Sequence, residues 1–229
     1  MHCSVGAACW NPRRSEVRTA IDRLAALLAI AGSVGFGATA AQAHPHVWVT
    51  SSSELIYAAD GSVTGVRHAW AFDDMYAAYA LQGIETKKKG EYSKEQLAPL
   101  AKDNVENLKE FGYFTFAKAD GKKQKFEEPV DYSLEYKDAT LTLYFTLPLK
   151  NPVKPKQFAL DIFDPAFFID FKLEDKDPVK LVGAPAACEL KVQRPGDSDV
   201  RKLTEEMIAS GDQSKYGAIY ANKIFVNCP

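Results

Sequence analysis

Histidines near the start of the chain could hold a transition metal. His44 and His46 are separated by Pro45, and the chain contains four histidines in all. If the chain is cleaved before His44, this residue gains a free α-amine, which can close a chelate ring on one metal ion together with its own imidazole Nδ1. His46 adds a second imidazole. Amine and imidazole nitrogens favour Cu(II), Ni(II) and Zn(II), so the spacing predicts a transition-metal site.

Pro45 restricts the geometry of this site. A histidine at the third position of a free N-terminus can bind copper or nickel in a plane that uses deprotonated backbone amides, but Pro45 has no amide hydrogen to lose. The remaining arrangement resembles the histidine brace of copper proteins, in which the amine and ring of His44 and the ring of His46 share one ion. His68 is a reserve ligand, because a His-x-Trp sequence begins at both His46 and His68.

Residues 1–43 have the three parts of a cleaved export signal. Arginines precede an apolar run at residues 24–31, and Ala41-Gln42-Ala43 fits the small-residue pattern of a cleavage site. The apolar run is too short for a permanent membrane span. Cleavage after Ala43 makes His44 the first residue of the mature protein. We therefore predict a periplasmic protein formed by residues 44–229.

Charge and hydropathy argue against two classes of partner. The predicted signal contains four of the 28 basic residues and two of the 30 acidic ones, so the remaining chain is net acidic. A net acidic domain is a poor ligand for nucleic acid or for an anionic membrane surface. After residue 43 no stretch is long and apolar enough to cross a bilayer. We expect a soluble mature protein with a single domain.

Two cysteines remain after the predicted cleavage. Cys188 and Cys228 are widely spaced, unlike the close C-x-x-C pairs of thiolate metal sites. In an exported protein such a pair is typical of a disulfide bond. Closing a loop of about 40 residues lowers the entropy of the unfolded chain and contributes roughly 4 kcal/mol on the chain-entropy model.

Alternating apolar residues and turn sequences predict a chain made mostly of strands. Asp60-Gly61 separates two predicted strands, Val47–Tyr57 and Val63–Phe72, and is typical of a β-hairpin. A second hairpin is predicted around residues 137–139. Further strands are predicted at residues 113–119, 158–163, 167–173, 188–193 and 224–227, and a short helix at residues 200–210. The fold class is a β-rich α+β domain with antiparallel, sandwich-like sheets, a two-helix insertion and a C-terminal disulfide.

The predicted insertion lies between the second and third strands. Its first helix begins at a cap, Asp73 or Asp74, and ends at the next glycine. Its second helix begins at a Ser93-x-x-Gln96 capping box and places an apolar stripe, ending at Phe111, on one face.

The connection between these helices has the frame of a calcium-binding EF-hand loop. The frame runs from Glu85 to Gln96 and has Gly90 at the sharp turn. Its third and fifth positions are Lys87 and Lys89, and ammonium groups repel Ca²⁺ where oxygen ligands are needed. The segment is interpreted as an ordinary basic connection, and no calcium binding is expected.

The first hairpin determines whether His68 can join the metal site. A turn centred on Asp60-Gly61 pairs residues whose numbers sum to about 121, which places His68 opposite Ser53. Ser53 is roughly 23 Å from His46 at about 3.3 Å per residue, and no single ion spans that distance. His68 is therefore expected to be a hydrogen-bonded histidine in the core.

The same register places Trp48 opposite Asp73, at the start of the first helix. His46 is then expected beside Asp73 and Asp74. The candidate metal site consists of His44, His46 and a carboxylate from Asp73 or Asp74. Two simpler interpretations stay open: the histidines belong to a solvated tail, and Asp73 serves only as a helix cap.

A group of carboxylates among phenylalanines offers another possible site. Asp161, Asp164 and Asp170 lie close together in the sequence, and two adjacent carboxylates could do acid–base chemistry. Alternation along strands with solvent-facing aspartates explains them more simply. The chain has no Gly-x-Ser-x-Gly motif, and no free thiol is expected. We assign no catalytic residue and do not expect an enzyme.

Several separated motifs resemble the domain of unknown function 1007 (DUF1007) family. They lie at residues 44–49, 67–73, 81–83, 131–134, 141–149 and 164–165. Members of this family are bacterial periplasmic proteins, often described as the periplasmic component of an uncharacterised transport system. The resemblance implies export and a link to uptake of metal ions, without an established activity. Some members have an acidic calcium-type loop where this chain has lysines.

These observations lead to one main hypothesis and two alternatives. The main hypothesis is a periplasmic protein that captures Zn, Cu or Ni, or delivers it to a transport system. The first alternative is an interaction protein that docks on a membrane transporter without binding metal. The second is a copper oxidase that uses the histidine brace, although the sequence shows no substrate groove.

Overall fold

The structure is a computed structural model and describes residues 46–86, 88, 90–196 and 216–229. The chain divides into two units, Met1–Ala43 and His44–Pro229. The predicted export signal lies outside the described residues, as do His44, Lys87, Lys89 and the predicted helix at residues 200–210. The described strands and helices all belong to the second unit.

The described residues form two β-sheets with a helical insertion. The strands are β1 (Val47–Tyr57), β2 (Val63–Phe72), β3 (Thr115–Ala119), β4 (Lys122–Lys123), β5 (Val130–Lys137), β6 (Thr140–Val153), β7 (Gln157–Ile162), β8 (Ile169–Leu173), β9 (Val179–Val182), β10 (Glu189–Gln193) and β11 (Asn222–Asn227). The α-helices are α1 (Asp74–Ala80) and α2 (Lys94–Leu108), and 3-10 helices lie at Lys109–Phe114 and Tyr216–Tyr220. The predicted β-rich α+β fold is confirmed.

The hairpin of β1 and β2 forms as its turn sequence predicts. Ser53 lies opposite His68, as the predicted register requires. In the turn, Asp60 Oδ1 accepts hydrogen bonds from the backbone N–H and the hydroxyl of Ser62, at 2.9 and 2.7 Å. Gly61 has φ +84°, which favours glycine because it has no Cβ. Local turn chemistry therefore helps to set the register in which β1 pairs with β2.

The first sheet has six strands in the order β5-β6-β2-β1, and β8 and β9 both pair with the other edge of β1. β1 is antiparallel to β2 but parallel to β8 and β9. This edge departs from the antiparallel pairing that the sequence predicts. After β6 the chain crosses to the second sheet as β7 and returns as β8, and such a crossover allows parallel pairing.

The second sheet has five strands in the order β10-β11-β7-β3-β4. The predicted disulfide is present between Cys188 and Cys228, which are 40 residues apart in sequence. It lies beside the paired residues Glu189 and Asn227, where β10 begins and β11 ends. The bond therefore links the start of β10, at the edge of this sheet, to the end of β11.

The helical insertion follows β2. Ser93 caps α2 in a capping box with Gln96, as predicted, and α2 buries Leu97, Ala101 and Val105. The predicted apolar stripe is wrong at Phe111, which is 50% exposed. The α-helix ends at Leu108, and the chain then turns through left-handed residues at Gly112 and Tyr113, so β3 begins only at Thr115. No helix among the described residues is long and apolar enough to cross a membrane.

Both sheets contribute to one hydrophobic core. The first sheet supplies Trp70 and Phe145, and the second supplies Phe158, Ile162 and Ile224, all almost fully buried. Burial of one such side chain contributes about 1.5–3 kcal/mol. Packing of the two sheets against each other therefore holds the ends of the strands, where the candidate site lies, in fixed positions.

Candidate functional site

His46 lies at the entrance to β1. Its backbone N–H donates to the carbonyl oxygen of Phe168 at 2.8 Å, and the N–H of Val47 donates to the same oxygen at 3.3 Å. The centroid of the His46 ring is 4.7 Å from that of the Phe168 ring. The loop before β8 therefore holds the backbone of His46 while its side chain stays exposed.

Asp73 joins the start of β1 to the start of α1. Its Oδ2 accepts a hydrogen bond from the backbone N–H of Trp48 at 2.9 Å, and its own N–H donates to the Trp48 carbonyl oxygen at 3.0 Å. Its Oδ1 accepts from the N–H groups of Met75 and Tyr76 at 2.9 and 3.0 Å. The predicted pairing of Trp48 with Asp73 is confirmed. Asp73 caps the helix with both carboxylate oxygens engaged, and exposed Asp74 follows in the first turn.

His68 lies in the core, as the hairpin register predicts. Its Nδ1 is 2.9 Å from Ser53 Oγ, and its Nε2 is 3.2 Å from Thr115 Oγ1. Burial lowers the pKa of His68 to about 3, because the charged imidazolium would lose its hydration. Both ring nitrogens are thus engaged by hydroxyl groups inside the sandwich, which leaves His68 a structural role.

Asp170 is a carboxylate that the sequence reasoning did not connect with His46. β8 runs parallel to β1 and places Asp170 beside Trp48. Side chains alternate along strands, so His46, Trp48, Phe168 and Asp170 share the outer face, opposite the buried Val47 and Val49. Burial raises the pKa of the half-buried Asp170, although Lys172 partly offsets the shift. Only the parallel pairing of β8 with β1 brings Asp170 towards His46, and the local sequence does not predict that pairing.

Asp164 is buried, at 4% exposure. Its Oδ1 accepts from the N–H of Ala166 at 2.8 Å, and its Oδ2 accepts from the N–H groups of Phe168 and Ile169 at 2.9 and 3.0 Å. The prediction of solvent-facing aspartates is therefore wrong for Asp164. Its carboxylate shapes the loop that carries Phe168 to His46, whereas half-buried Asp161 lies in β7 on the second sheet.

The last residue of the segment with the EF-hand frame, Gln96, forms part of the N-terminal cap of α2. The side-chain oxygen of Gln96 accepts from the N–H of Ser93 at 2.8 Å, and its amide nitrogen donates to the carbonyl oxygen of Glu85 at 2.5 Å. Lys87 and Lys89, which occupy two ligand positions of the frame, lie outside the described residues. Gln96 thus holds the end of this segment through hydrogen bonds to protein groups.

Within residues 46–86, 88, 90–196 and 216–229, no three His, Cys, Asp or Glu side chains form a group that could hold a metal. Two donors of the predicted site, the amine and ring of His44, lie outside this part of the chain. At the start of β1, Trp48 contacts Asp73 on one side and pairs with Asp170 on the other, and His46 lies two residues before Trp48.

A cleft of about 890 Å³ lies between the helical insertion and the loop before β8. Its walls come from α1, α2, the 3-10 helix Lys109–Phe114 and residues 164–169. Phe168 contacts His46 and also lines this cleft. The sequence alone does not reveal this groove, because its walls come from segments that are far apart in the chain.

Comparison with known proteins gives a family and two relatives. The family described as a protein of unknown function, DUF1007, matches residues 28–228. An uncharacterized protein of Haemophilus influenzae is 22% identical over 193 residues, which cover 81% of this chain and 91% of that protein. An uncharacterized 15.5 kDa protein in the trpE 3' region of Spirochaeta aurantia is 29% identical over 93 residues, 40% of this chain and 66% of that protein. Because the family match spans most of the sequence, the chain belongs to DUF1007, a family of unknown function.

Proposed function

We propose that this protein is an exported metal-binding protein that captures Zn(II), Cu(II) or Ni(II), or delivers it to a transport system in the periplasm. The ligands are the α-amine and ring of His44, the ring of His46 and one neighbouring carboxylate. These donors suit the three ions. The family resemblance supplies the transport context, and the disulfide is typical of a protein in an oxidising compartment.

The observation that supports the proposal is the fixed backbone of His46. Hydrogen bonds to Phe168 hold one side of the start of β1, and the bond from Trp48 to Asp73 holds the other. A ligand that is held in place before the ion arrives loses less conformational entropy on binding. Asp170 on β8 and Asp73, which directly follows β2, both lie beside Trp48, two residues along β1 from His46.

The hydrogen bonds distinguish among the carboxylates. Asp73 already accepts three backbone N–H groups, so metal coordination by Asp73 would compete with the cap of α1. Asp74 is exposed in the first turn of α1, and Asp170 shares the outer face with His46. Asp74 and Asp170 are therefore the preferred carboxylate ligands.

The proposal is tested by metal titration of protein purified from its native compartment, with the mass of the mature N-terminus measured on the same sample. We expect a chain that begins at His44 and binds one of the three ions more tightly than about micromolar. His46→Ala is expected to weaken binding by roughly 100-fold or more. One extra glycine before His44 moves the amine and should weaken binding without changing any side chain.

Matched aspartate variants identify the carboxylate. Asp74→Asn and Asp170→Asn are each compared with Asp175→Asn, an exposed site in the loop after β8. The variant that removes a ligand lowers affinity, and Asp175→Asn leaves it unchanged. The proposal fails if none of the ions binds more tightly than about micromolar, or if His46→Ala and the added glycine both leave affinity unchanged. The metal-free interaction protein would then be the better hypothesis.

A further inference from the structure

The cleft beside the helical insertion is a preformed cavity. Tyr76 on α1 donates its hydroxyl to Asn104 Oδ1 on α2 at 2.7 Å, and Asn104 Nδ2 donates to the carbonyl oxygen of Leu100 at 2.8 Å. The Tyr76 ring also lies 4.3 Å from the Phe72 ring. These contacts fix the two helices relative to each other, so the cleft between them does not have to form on binding. Its volume of about 890 Å³ lies in the range of small-molecule sites.

The walls of the cleft are rich in aromatic side chains. Phe111 and Phe114 stack with ring centroids 5.3 Å apart, and both line the cleft. Tyr79 and Phe168 are 72% and 47% exposed at its rim. Exposed aromatic side chains gathered around one concavity are typical of ligand sites, because most large apolar side chains are otherwise buried in the core.

The charge of the cleft restricts the ligand. Among the described residues that line it there is no Lys, Arg or His, whereas exposed Asp103 lies at its edge. Lys102 and Lys109 form ion pairs with Glu106 and Glu128, and Asp103 forms no ion pair within the part of the chain that the structure describes. Buried Asp164 already accepts three backbone N–H groups.

We propose that this cleft binds an apolar organic cation, namely an aromatic or alkyl amine. Its hydrocarbon part lies among the aromatic rings, and its ammonium group faces Asp103. Aromatic faces attract cations through the ring quadrupole, and the carboxylate adds charge complementarity. An organic anion of the same shape meets Asp103 and finds no lining cation among the described residues. None of the proposed metal ligands among the described residues lines the cleft, although Phe168 contacts both the cleft and His46, and the proposal does not depend on metal binding.

The test uses a fluorescent probe and a pair of competitors that differ in charge. N-phenyl-1-naphthylamine is apolar and neutral, and its fluorescence rises when it enters an apolar site. It is bound to the purified protein and displaced with 4-phenylbutylamine or with 4-phenylbutyrate. We expect the amine to displace the probe at a roughly tenfold lower concentration than the carboxylate.

Variants separate the two parts of the site. Asp103→Asn should bring the two competitors close together, and Asp103→Lys should reverse their order, whereas Asp175→Asn, an exposed aspartate outside the lining, should change neither. Tyr79→Ala should weaken probe binding several-fold. Tyr132→Ala is its control, because Tyr132 is 38% exposed on β5 and does not line the cleft. Because Asp103 and Tyr79 are exposed, replacing them should not unfold the protein. Changes in binding by these variants therefore report on the cleft itself.

Any of four results would overturn the proposal. The wild-type protein could fail to bind the probe, Tyr79→Ala could bind it as well as wild type, or the carboxylate could displace it as well as the amine. If the probe binds but neither competitor displaces it, the surface suits a protein partner better than a small amine, and the proposal is again wrong. A chelator should leave probe binding unchanged, which separates this site from the proposed metal site.

Discussion

His68 Nε2 on β2 and Thr115 Oγ1 on β3 are 3.2 Å apart, and this contact joins the two sheets through the core. On its other side, His68 Nδ1 is 2.9 Å from Ser53 Oγ. The rings of Trp70 and Phe145 lie against His68 at 5.5 and 5.1 Å. A polar contact enclosed by aromatic rings depends on the imidazole staying neutral, because a buried unpaired charge is costly.

The protein should lose stability in acid through His68. Its pKa is about 3 in the folded protein and about 6.5 as the ordinary value. Between these pH values the unfolded chain binds a proton that the folded chain does not, so lowering the pH favours unfolding by up to about 1.4 kcal/mol per pH unit. Denaturant unfolding measured between pH 7 and pH 4 checks this slope.

His68→Gln is the control for the acid effect. The variant should be less stable than wild type at neutral pH. Because glutamine cannot take up a proton, the variant should lose less stability than wild type on acidification. The carboxylates titrate in both proteins and cancel in the comparison. Equal slopes in the two proteins would contradict a histidine held neutral in the core.

Asp73 should contribute to stability as the cap of α1. Asp73→Ala removes the acceptor for Met75, Tyr76 and Trp48 and should lower the free energy of unfolding by about 1–2 kcal/mol. Asp73→Asn keeps one acceptor oxygen but turns an amide NH2 group towards a backbone N–H, so it should lose less stability than Asp73→Ala but more than Asp74→Ala, which should remain close to wild type. Denaturant titration measures the three variants. If Asp73→Asn preserves stability but abolishes metal affinity, Asp73 is a ligand after all.

Asp164 should organise the loop that carries Phe168. Asp164→Ala leaves the N–H groups of Ala166, Phe168 and Ile169 without their acceptor and should cost about 2–3 kcal/mol. Asp164→Asn keeps one oxygen and should cost less. Binding of N-phenyl-1-naphthylamine should weaken in Asp164→Ala, because Phe168 lines the cleft. Unchanged stability and probe binding in Asp164→Ala would show that the loop does not depend on this carboxylate.

The disulfide should stabilise the second sheet. Reduction of the bond between Cys188 and Cys228 should lower the free energy of unfolding by roughly 4 kcal/mol on the chain-entropy model for a loop of this length. The double variant Cys188→Ser with Cys228→Ser should match the reduced wild type and should not respond to reductant. A wild-type protein equally stable with and without reductant would contradict this expectation.

Local sequence predicts features that depend on neighbouring residues. The turn at Asp60-Gly61 and the alternation of the flanking strands predict the whole β1–β2 hairpin and its register, including His68 opposite Ser53. The Ser93 cap of α2 is predicted correctly for the same reason. The stripe to Phe111 fails because it ignores the left-handed turn that follows α2.

Contacts between distant segments are not encoded in any one stretch of the chain. Asp164 looks like one more aspartate on an alternating strand, yet three backbone N–H groups converge on its carboxylate. Asp170 becomes a neighbour of His46 only because β8 pairs with β1 in parallel. Which strand pairs with the free edge of β1 is determined only when the two sheets pack together.

By itself, the sequence determined the β-rich fold class, the first hairpin, the helix caps and the pairing of Cys188 with Cys228. Turn chemistry and side-chain alternation depend on residues close in the chain, and with two cysteines left after the predicted cleavage, one pairing is possible. The tertiary structure decided which groups surround His46 and created the aromatic cleft. Both arise where strand edges and helices from separate segments meet, and the free energy that brings them together comes from burying the shared core.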